Sequence, residues 1–265
     1  MIPIGDLEAR DAGTIRYVLF DIDDTITKDG YLLAESFDAL WRLKAAGLVA
    51  VPVTGRPAGW CDLIARQWPV SGVVGENGAF AFFQVDGKLE RLYHPNAPAP
   101  EATAVRLQEL GAEACDEFPG LRVAKDQRYR LFDVALDFAE EEPNLGLDLA
   151  RSVKEFCEER GAIAKVSSIH VNAWFGRYDK LSMAEYFLAS RFLYDPERDE
   201  ASVLYCGDSP NDEPMFKRFS YSCGVANVLS YETLLQHHPK YVTSRPYGYG
   251  FAEMVDILLQ RLEKR

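Results

Sequence analysis

The chain has 265 residues, 48% hydrophobic and 26% charged, with a formal net charge of −12, a globular composition with room for one large α/β domain or two modest ones. That acidic balance argues against nonspecific nucleic-acid binding, which needs a basic surface. No apolar run reaches the roughly 18 residues that span a bilayer, and residues 1–10, with Asp6 and Glu8, lack the basic-then-apolar order of a signal peptide, so the expected compartment is the cytosol.

Residues 17–20 form a short apolar run that ends abruptly in acids, as a buried parallel strand ends at its carboxyl edge. A helix follows over 35–46, with Phe37, Leu40, Trp41 and Leu43 at helical spacing and Gly47 as its stop. Residues 48–53 read as a second strand. Pro57 stands where the next helix begins, and that helix runs to Trp68, before Pro69. Residues 70–74 make a third strand. This βαβαβ order predicts an α/β fold with a doubly wound parallel sheet.

The pattern then changes. Residues 79–83 and 89–93 flank Asp86-Gly87 as a hairpin. A Pro-rich stretch, 94–100, precedes a helix over 101–110. A strand over 130–138, a helix over 145–160 and a strand over 165–175 complete a smaller α+β domain. Its expected span is 82–177, inserted into a core formed by 1–81 and 178–265. The parallel pattern resumes with a helix over 180–192, strands at 202–206 and 221–225, a short helix at 213–218 and an amphipathic helix over 251–262. Five cysteines (61, 115, 157, 206 and 223) form no CxxC pair and fit reduced, mostly buried thiols. Four histidines give no metal-ligand spacing, which leaves oxygen ligands for any metal.

Polar clusters fall after core strands or at a helix start: Asp21-Ile22-Asp23-Asp24-Thr25, Thr54-Gly55-Arg56, Lys180, and Gly207-Asp208-Ser209-Pro210-Asn211-Asp212. Open parallel sheets bind ligands at the carboxyl ends of their strands, where the strand order reverses. Asp21 and Asp23 are two residues apart and would share a side if the strand continued; a strand that ends there lets the second curl into the loop. Carboxylates so close need a cation or a shared proton to coexist. Asp208 adds a third, and hard oxygen ligands suit magnesium, which would also neutralise a phosphate dianion that an acidic pocket otherwise rejects. One carboxylate can attack phosphorus while another protonates the leaving alkoxide. A Thr hydroxyl and backbone N–H groups at a helix start suit phosphate contacts, which fits Thr54. Lys180 offers a point charge for the developing phosphoryl charge, and groups of this kind are each worth about 3 kcal/mol.

The ordered set DIDDT, VTGR, a helix-start Lys and GDSPND, spread over residues 17–216, resembles the four motifs of the haloacid dehalogenase superfamily. That resemblance implies Asp21 as nucleophile and metal ligand, with Asp23 as general acid/base that also lends the metal its backbone carbonyl. It implies Thr54, with Gly55 and Arg56, and Lys180 as phosphoryl contacts, Asp208 as a magnesium ligand, and Asn211 and Asp212 as supports of the site, Asp212 on the metal side. Only 33 positions lie from Asp21 to Thr54, too few for a cap between the first two motifs, whereas 126 lie from Thr54 to Lys180. The arrangement resembles subclass IIB, which includes sugar-phosphate phosphatases and phosphomannomutases; Glu76-Asn77-Gly78-Ala79 and Tyr178-Asp179-Lys180 are similar to its motifs. Asp24 stands where many members carry Gly.

Within 165–175, alternation puts Ser168, His170, Asn172 and Trp174 on one strand face, a polar face with an aromatic that suits a sugar. Arg122, Lys125, Arg128 and Arg130 form a basic cluster that would draw an anion or serve as a solvated loop. The expected activity is a magnesium-dependent phosphatase acting on a small phosphorylated metabolite such as a sugar or sugar-acid phosphate. A phosphomutase and a non-catalytic sugar-phosphate-binding module are the alternatives. The cap would hinge near Phe82 and Gly176-Arg177. The sequence carries no expectation of oligomeric state.

Overall fold

The computed structural model describes residues 1–167 and 169–263. Its main sheet has six parallel strands, in the order Ile2–Pro3, Tyr241–Val242, Tyr221–Gly224, Val203–Gly207, Tyr17–Phe20 and Val49–Pro52. Tyr17–Phe20 is buried throughout because both sheet faces are covered. Val18 and Phe20 pack in one cluster with helices Ala34–Ala45 and Tyr247–Glu263, while Tyr17 and Leu19 pack with Lys180–Phe192 on the other face. From this central strand the chain crosses to Val49–Pro52 on one side, and Val203–Gly207 later docks on the other. The strand order therefore reverses between Phe20 and Gly207, which opens a crevice at their carboxyl ends.

Beyond Val49–Pro52, a parallel bridge from Val53 to Val74 leads to an antiparallel sheet of Val73–Gly75, Phe80–Val85 and Lys88–Tyr93. Asp86 and Gly87 both take positive φ, as a two-residue hairpin turn requires. Phe80 and Phe82 join one core cluster and Ala81 and Phe83 the other. The hairpin thus packs with the core, which supports starting the insert near Pro100 instead of residue 82. Phe82 is paired on both sides and stacks on Phe80 with ring centroids 4.2 Å apart, an unsuitable place for a hinge.

The insert has a four-stranded antiparallel sheet, ordered Ile163–Val166, His170–Trp174, Asp133–Asp137 and Arg122–Val123. Helices Pro100–Glu117 and Leu147–Glu159 cover one face, closing a core of its own around Leu107, Leu110, Val134, Val153, Val171 and Ala173. The single strand expected over 165–175 is instead a hairpin that reverses near Ser167, whose Oγ accepts from the Ile169 and His170 N–H groups. Ser168 lies outside the described residues. The two chain crossings between core and insert run side by side: Asn96 Nδ2 donates to Arg177 O at 3.2 Å. Gly176, at φ +130°, leaves no room for a Cβ, which would sit 2.9 Å from Asn96 O.

Two helices exceed their expected lengths. The first extends to Glu117, and the last begins at Tyr247 instead of 251. Gly248 and Gly250 are poor helix formers, yet a Cβ on Gly248 would come 2.0 Å from Ser36 Oγ. Close packing outweighs propensity there. All five cysteines are free, four of them buried. Among the described residues, no helix is long and apolar enough to cross a membrane.

Candidate active site

Asp21 follows the central strand directly, and its N–H donates to Cys206 O at 3.0 Å, which fixes it beside the end of Val203–Gly207. Asp208 follows that neighbouring strand, and Asp212 closes the Pro210–Asp212 turn. One carboxylate oxygen from each of Asp21, Asp208 and Asp212 lies within 4.8 Å of the other two, all buried. Lys180 Nζ stands 3.1 Å from Asp21 Oδ1 and 3.8 Å from Asp212 Oδ1. A capping box aims this lysine: Asp179 accepts from Ser182 N at 2.7 Å, and Ser182 Oγ accepts from Asp179 N at 3.1 Å. Beneath it, Gly78 sits at φ +105° where a Cβ would meet Asp179 O at 2.0 Å, so only glycine lets this segment underlie the helix start.

Asp212 is held on every side. Tyr205 donates its hydroxyl to Oδ1 at 2.5 Å, and the Asp208 and Ser209 N–H groups donate to Oδ2 at 3.0 and 3.2 Å. Thr25 donates to Asp208 Oδ1 at 3.1 Å. Burial pushes the Asp21 carboxyl up to about 7; Lys180 pulls it down, while Asp212 and Asp23 push it further up. Asp208 rises well above the usual carboxylate range through burial first and then Asp212 and Asp21. Burial lowers Lys180, but Asp21 and Asp212 outweigh that and raise it. Three buried carboxylates against one ammonium leave uncompensated negative charge, and their oxygens are hard donors. The residues present fit a hard divalent cation such as magnesium.

The Asp23 side chain does not join the three grouped carboxylates. Its carboxylate is gripped by Arg56, with Nε at 2.9 and 3.1 Å and Nη2 at 2.6 Å, and stands outside the three-carboxylate group. The third carboxylate beside Asp21 and Asp208 is Asp212, because the loop after Phe20 carries Asp23 toward the insert. Arg56 was expected among the phosphoryl contacts, but its guanidinium is committed to Asp23 and lies 3.6 Å from Glu140. Thr54 is wholly buried, and its hydroxyl accepts from Arg56 N at 3.1 Å, holding the turn into helix Ala58–Gln67. Gly55 lines the cleft, where a Cβ would lie 3.1 Å from Asn77 Oδ1.

From the insert, His170 and Asn172 reach the same cleft as Asp21, Asp23, Lys180 and Asp208. His170 Nε2 lies 2.8 Å from Glu140 Oε2, and Asn172 Nδ2 donates to Asp133 Oδ2 at 3.0 Å. Val171 and Ala173 point into the insert's core, as alternation requires. Trp174 is 1% exposed and stacks on Tyr178 where core and insert meet. Asn211 also lines the cleft, and its Oδ1 is buried without a partner among the described residues.

The basic cluster does not converge. Arg122 binds the Glu141 and Glu142 carbonyls, Lys125 pairs with Glu141, and Arg128 lies over the Tyr129 ring. Only Arg130 reaches the cleft, and it is clamped by Asp126 and Asp133 while donating to Gly55 O at 3.0 Å. Glu76 is a second residue whose part in the joint was not legible. Its carboxylate accepts from the N–H groups of Ala58, Leu131 and Phe132, so one buried core residue ties down a helix start and the insert's approach strand. The Glu76-Asn77-Gly78-Ala79 motif flagged the position, but not these partners, which lie 18 and 55 to 56 residues away.

No family model matches the chain. Among curated proteins it is 24% identical over 258 residues to a phosphoglycolate phosphatase of Staphylothermus marinus, covering 93% of this chain and 99% of that one. It is 25% identical over 247 residues to a phosphoglycolate phosphatase of Methanobrevibacter smithii, covering 90% and 96%. Among solved structures it is similar to a Thermoplasma acidophilum protein, with a TM-score of 0.70 at 19% identity over 92% of this chain and 98% of that one. It is also similar to a haloacid dehalogenase subclass IIB sugar phosphatase, with a TM-score of 0.62 at 15% identity over 91% and 98%. A sucrose-phosphatase from Synechocystis sp., solved with sucrose and phosphate, gives 0.62 at 16% identity over 91% and 97%. The chain shares its fold with these structures, and its four motifs meet in one crevice at the carboxyl ends of the parallel strands.

Proposed function

We propose that the chain hydrolyses a small phosphate monoester, a sugar or sugar-acid phosphate, through a covalent phosphate on Asp21. One observation carries this reading: Asp21, Asp208, Asp212 and the Lys180 ammonium meet at the point where the strand order reverses. A carboxylate so placed serves as a nucleophile. In the first step an Asp21 oxygen bonds to phosphorus and the bond to the leaving oxygen breaks, with Asp23 delivering its proton to that oxygen. In the second, Asp23 takes a proton from water as the water oxygen attacks phosphorus, and Asp21 is released. Lys180 holds positive charge at the phosphoryl oxygens throughout. Magnesium, held by Asp21, Asp208 and Asp212 and by the Asp23 carbonyl, would supply the charge that lets a phosphate dianion approach an anionic nucleophile.

The grip of Arg56 on Asp23 bears on this division of labour. It keeps the Asp23 carboxylate on the insert side of the cleft, where a leaving group would lie, and away from the cation ligands. The names of the relatives divide between phosphoglycolate and sugar phosphates, and both are small monoesters.

The test is release of inorganic phosphate from a panel of phosphorylated sugars and sugar acids, with and without magnesium. Magnesium-dependent release supports the reading; isomerised substrate with no release would replace it with a phosphomutase. Asp23→Asn is expected to lower kcat by about 10²- to 10⁴-fold for alkyl phosphates and much less for phenyl phosphates, whose leaving groups need no proton. Equal losses for both would remove Asp23 from the acid's role.

A further inference from the structure

Asp23 borders two spaces. One is the cleft it shares with Asp21, Lys180 and Asp208. The other is a cavity of about 350 Å³ lined by Asp24, Thr27, Asp29 and Gly30 of the core and by Glu140 and Ile169 of the insert. An Asp23 carboxylate that turned into this second space would leave the phosphoryl site. Among the described residues, Arg56 supplies every hydrogen bond that the carboxylate accepts. Whatever fixes Arg56 therefore fixes Asp23.

Arg56 is held on three sides. Asp23 occupies its Nε and Nη2, the Trp60 ring lies with its centroid 4.4 Å from the guanidinium carbon, and Nη1 faces Glu140 Oε1 at 3.6 Å. A guanidinium is a rigid planar fork, so a second anchor at Nη1 fixes the plane that one edge alone leaves free to tilt. Glu140 is itself tied down, although its side chain is 36% exposed. Asp137 Oδ1 accepts from the N–H groups of Ala139 and Glu140 at 3.0 and 2.8 Å. His170, whose side chain is 4% exposed, takes Oε2 at 2.8 Å. An ionised carboxylate only accepts, so His170 Nε2 carries the hydrogen. That hydrogen bond holds the Glu140 carboxyl below its usual range, with burial opposing and Arg56 adding to the fall. The insert thus presents a fixed negative oxygen to the free end of Arg56.

We propose that Glu140, oriented by His170, is a positioning residue that acts through Arg56 to keep the Asp23 carboxylate in the cleft. Docking of the insert and placement of the acid/base are then one event. The proposal rests on the phosphatase reading above and goes beyond it, because it assigns the placement of a core side chain to the insert. With the insert apart, Glu140 and His170 leave together, Arg56 loses its second anchor, and Asp23 is free to turn away. Proton transfer needs heavy atoms within hydrogen-bond reach, and a misplacement of about 1 Å costs about a hundredfold. Chemistry thereby waits for closure.

The experiment measures kcat/KM for ethyl phosphate and p-nitrophenyl phosphate, with magnesium, on wild type, Glu140→Gln, Asp23→Asn and the double variant. Glutamine keeps the volume and an oxygen for His170 but removes the charge facing Arg56. Glu140→Gln is expected to lose about tenfold on ethyl phosphate and less than about threefold on p-nitrophenyl phosphate, whose leaving group needs little help from a proton. In the Asp23→Asn protein the same change should cost ethyl phosphate nothing further, as two residues acting through one group require. Arg56→Lys, which keeps the charge without the fork, should repeat the selective loss by a larger factor. A Glu140→Gln loss equal on both esters, or undiminished in the Asp23→Asn protein, would make Glu140 a structural tie only and overturn the proposal. The Arg56 Nε–H resonance, followed by proton–nitrogen NMR, reads the bridge without turnover: Glu140→Gln should shift it, and an unmoved resonance sinks the proposal. Release of phosphate from p-nitrophenyl phosphate by wild type tests the phosphatase reading separately.

Discussion

Asp21→Asn is expected to lower turnover of p-nitrophenyl phosphate by on the order of 10⁴-fold or more, the usual scale for loss of a catalytic nucleophile. The amide keeps the volume and the hydrogen-bonding backbone of the aspartate but cannot form the covalent phosphate. The fold should survive. Asp21 is buried among Asp208 and Asp212, and removing one of three mutually repelling carboxylates offsets the loss of its contact with Lys180, which keeps Asp212 as a partner. Urea denaturation followed by tryptophan fluorescence should therefore give a midpoint no lower than that of wild type. Near-normal hydrolysis by a folded Asp21→Asn protein would remove Asp21 from the nucleophile's role; a collapsed fold would mean that its contact with Lys180 outweighs the repulsion.

Glu76→Ala should be the most damaging single change for stability, with a loss of about 3 kcal/mol or more. The substitution strands three backbone donors at once, on Ala58, Leu131 and Phe132, around a carboxyl that is itself fully buried. It also removes a carboxyl group facing the buried Arg130. For a chain of this length that corresponds to a fall in Tm of roughly 6 °C or more. Burial pushes the Glu76 carboxyl up to about 8, with Asp133 adding to the rise and Arg130 opposing it. Its folded value therefore lies above the ordinary 4.5, and the folded protein holds this proton more tightly than the unfolded chain. The group's contribution falls as pH climbs from about 4.5 through about 8. Glu76→Gln cannot titrate, so the gap in urea midpoint between wild type and Glu76→Gln should narrow from pH 5 to pH 9. A constant gap would place the Glu76 pKa near its ordinary value, and a fully stable Glu76→Ala would show that water or relaxation satisfies those N–H groups.

Local sequence and long-range contact divide this protein cleanly. Apolar runs of four or five residues that stop at Asp21, Thr54 and Asp208 are strand ends by composition alone, because a strand buried on both faces must be apolar and can turn polar only where it leaves the sheet. The helix over Lys180–Phe192 matches its expected limits, since Asp179 and Ser182 form a local capping device. The same holds for the Asp86-Gly87 hairpin, whose turn chemistry lies within two residues.

What the sequence left open depended on partners distant in the chain. Asp23 and Asp212 are both acids in acid-rich loops, and nothing local says which joins Asp21 and Asp208. That choice came from Arg56, 33 residues from Asp23, and from Tyr205 and Lys180 around Asp212. Phe80 and Phe82 pack under the core, which supports an insert edge near Pro100, and hairpin periodicity does not encode that contact. Strand spacing also ran through the 165–175 hairpin, since a turn near Ser167 leaves little trace in a pattern of alternating residues. Order along the chain determined which chemistry is present, because strand ends and caps are set by neighbours. Only the folded structure decided which charges face one another, because opposite charges find partners through space and a buried ion takes the nearest compensation it can reach.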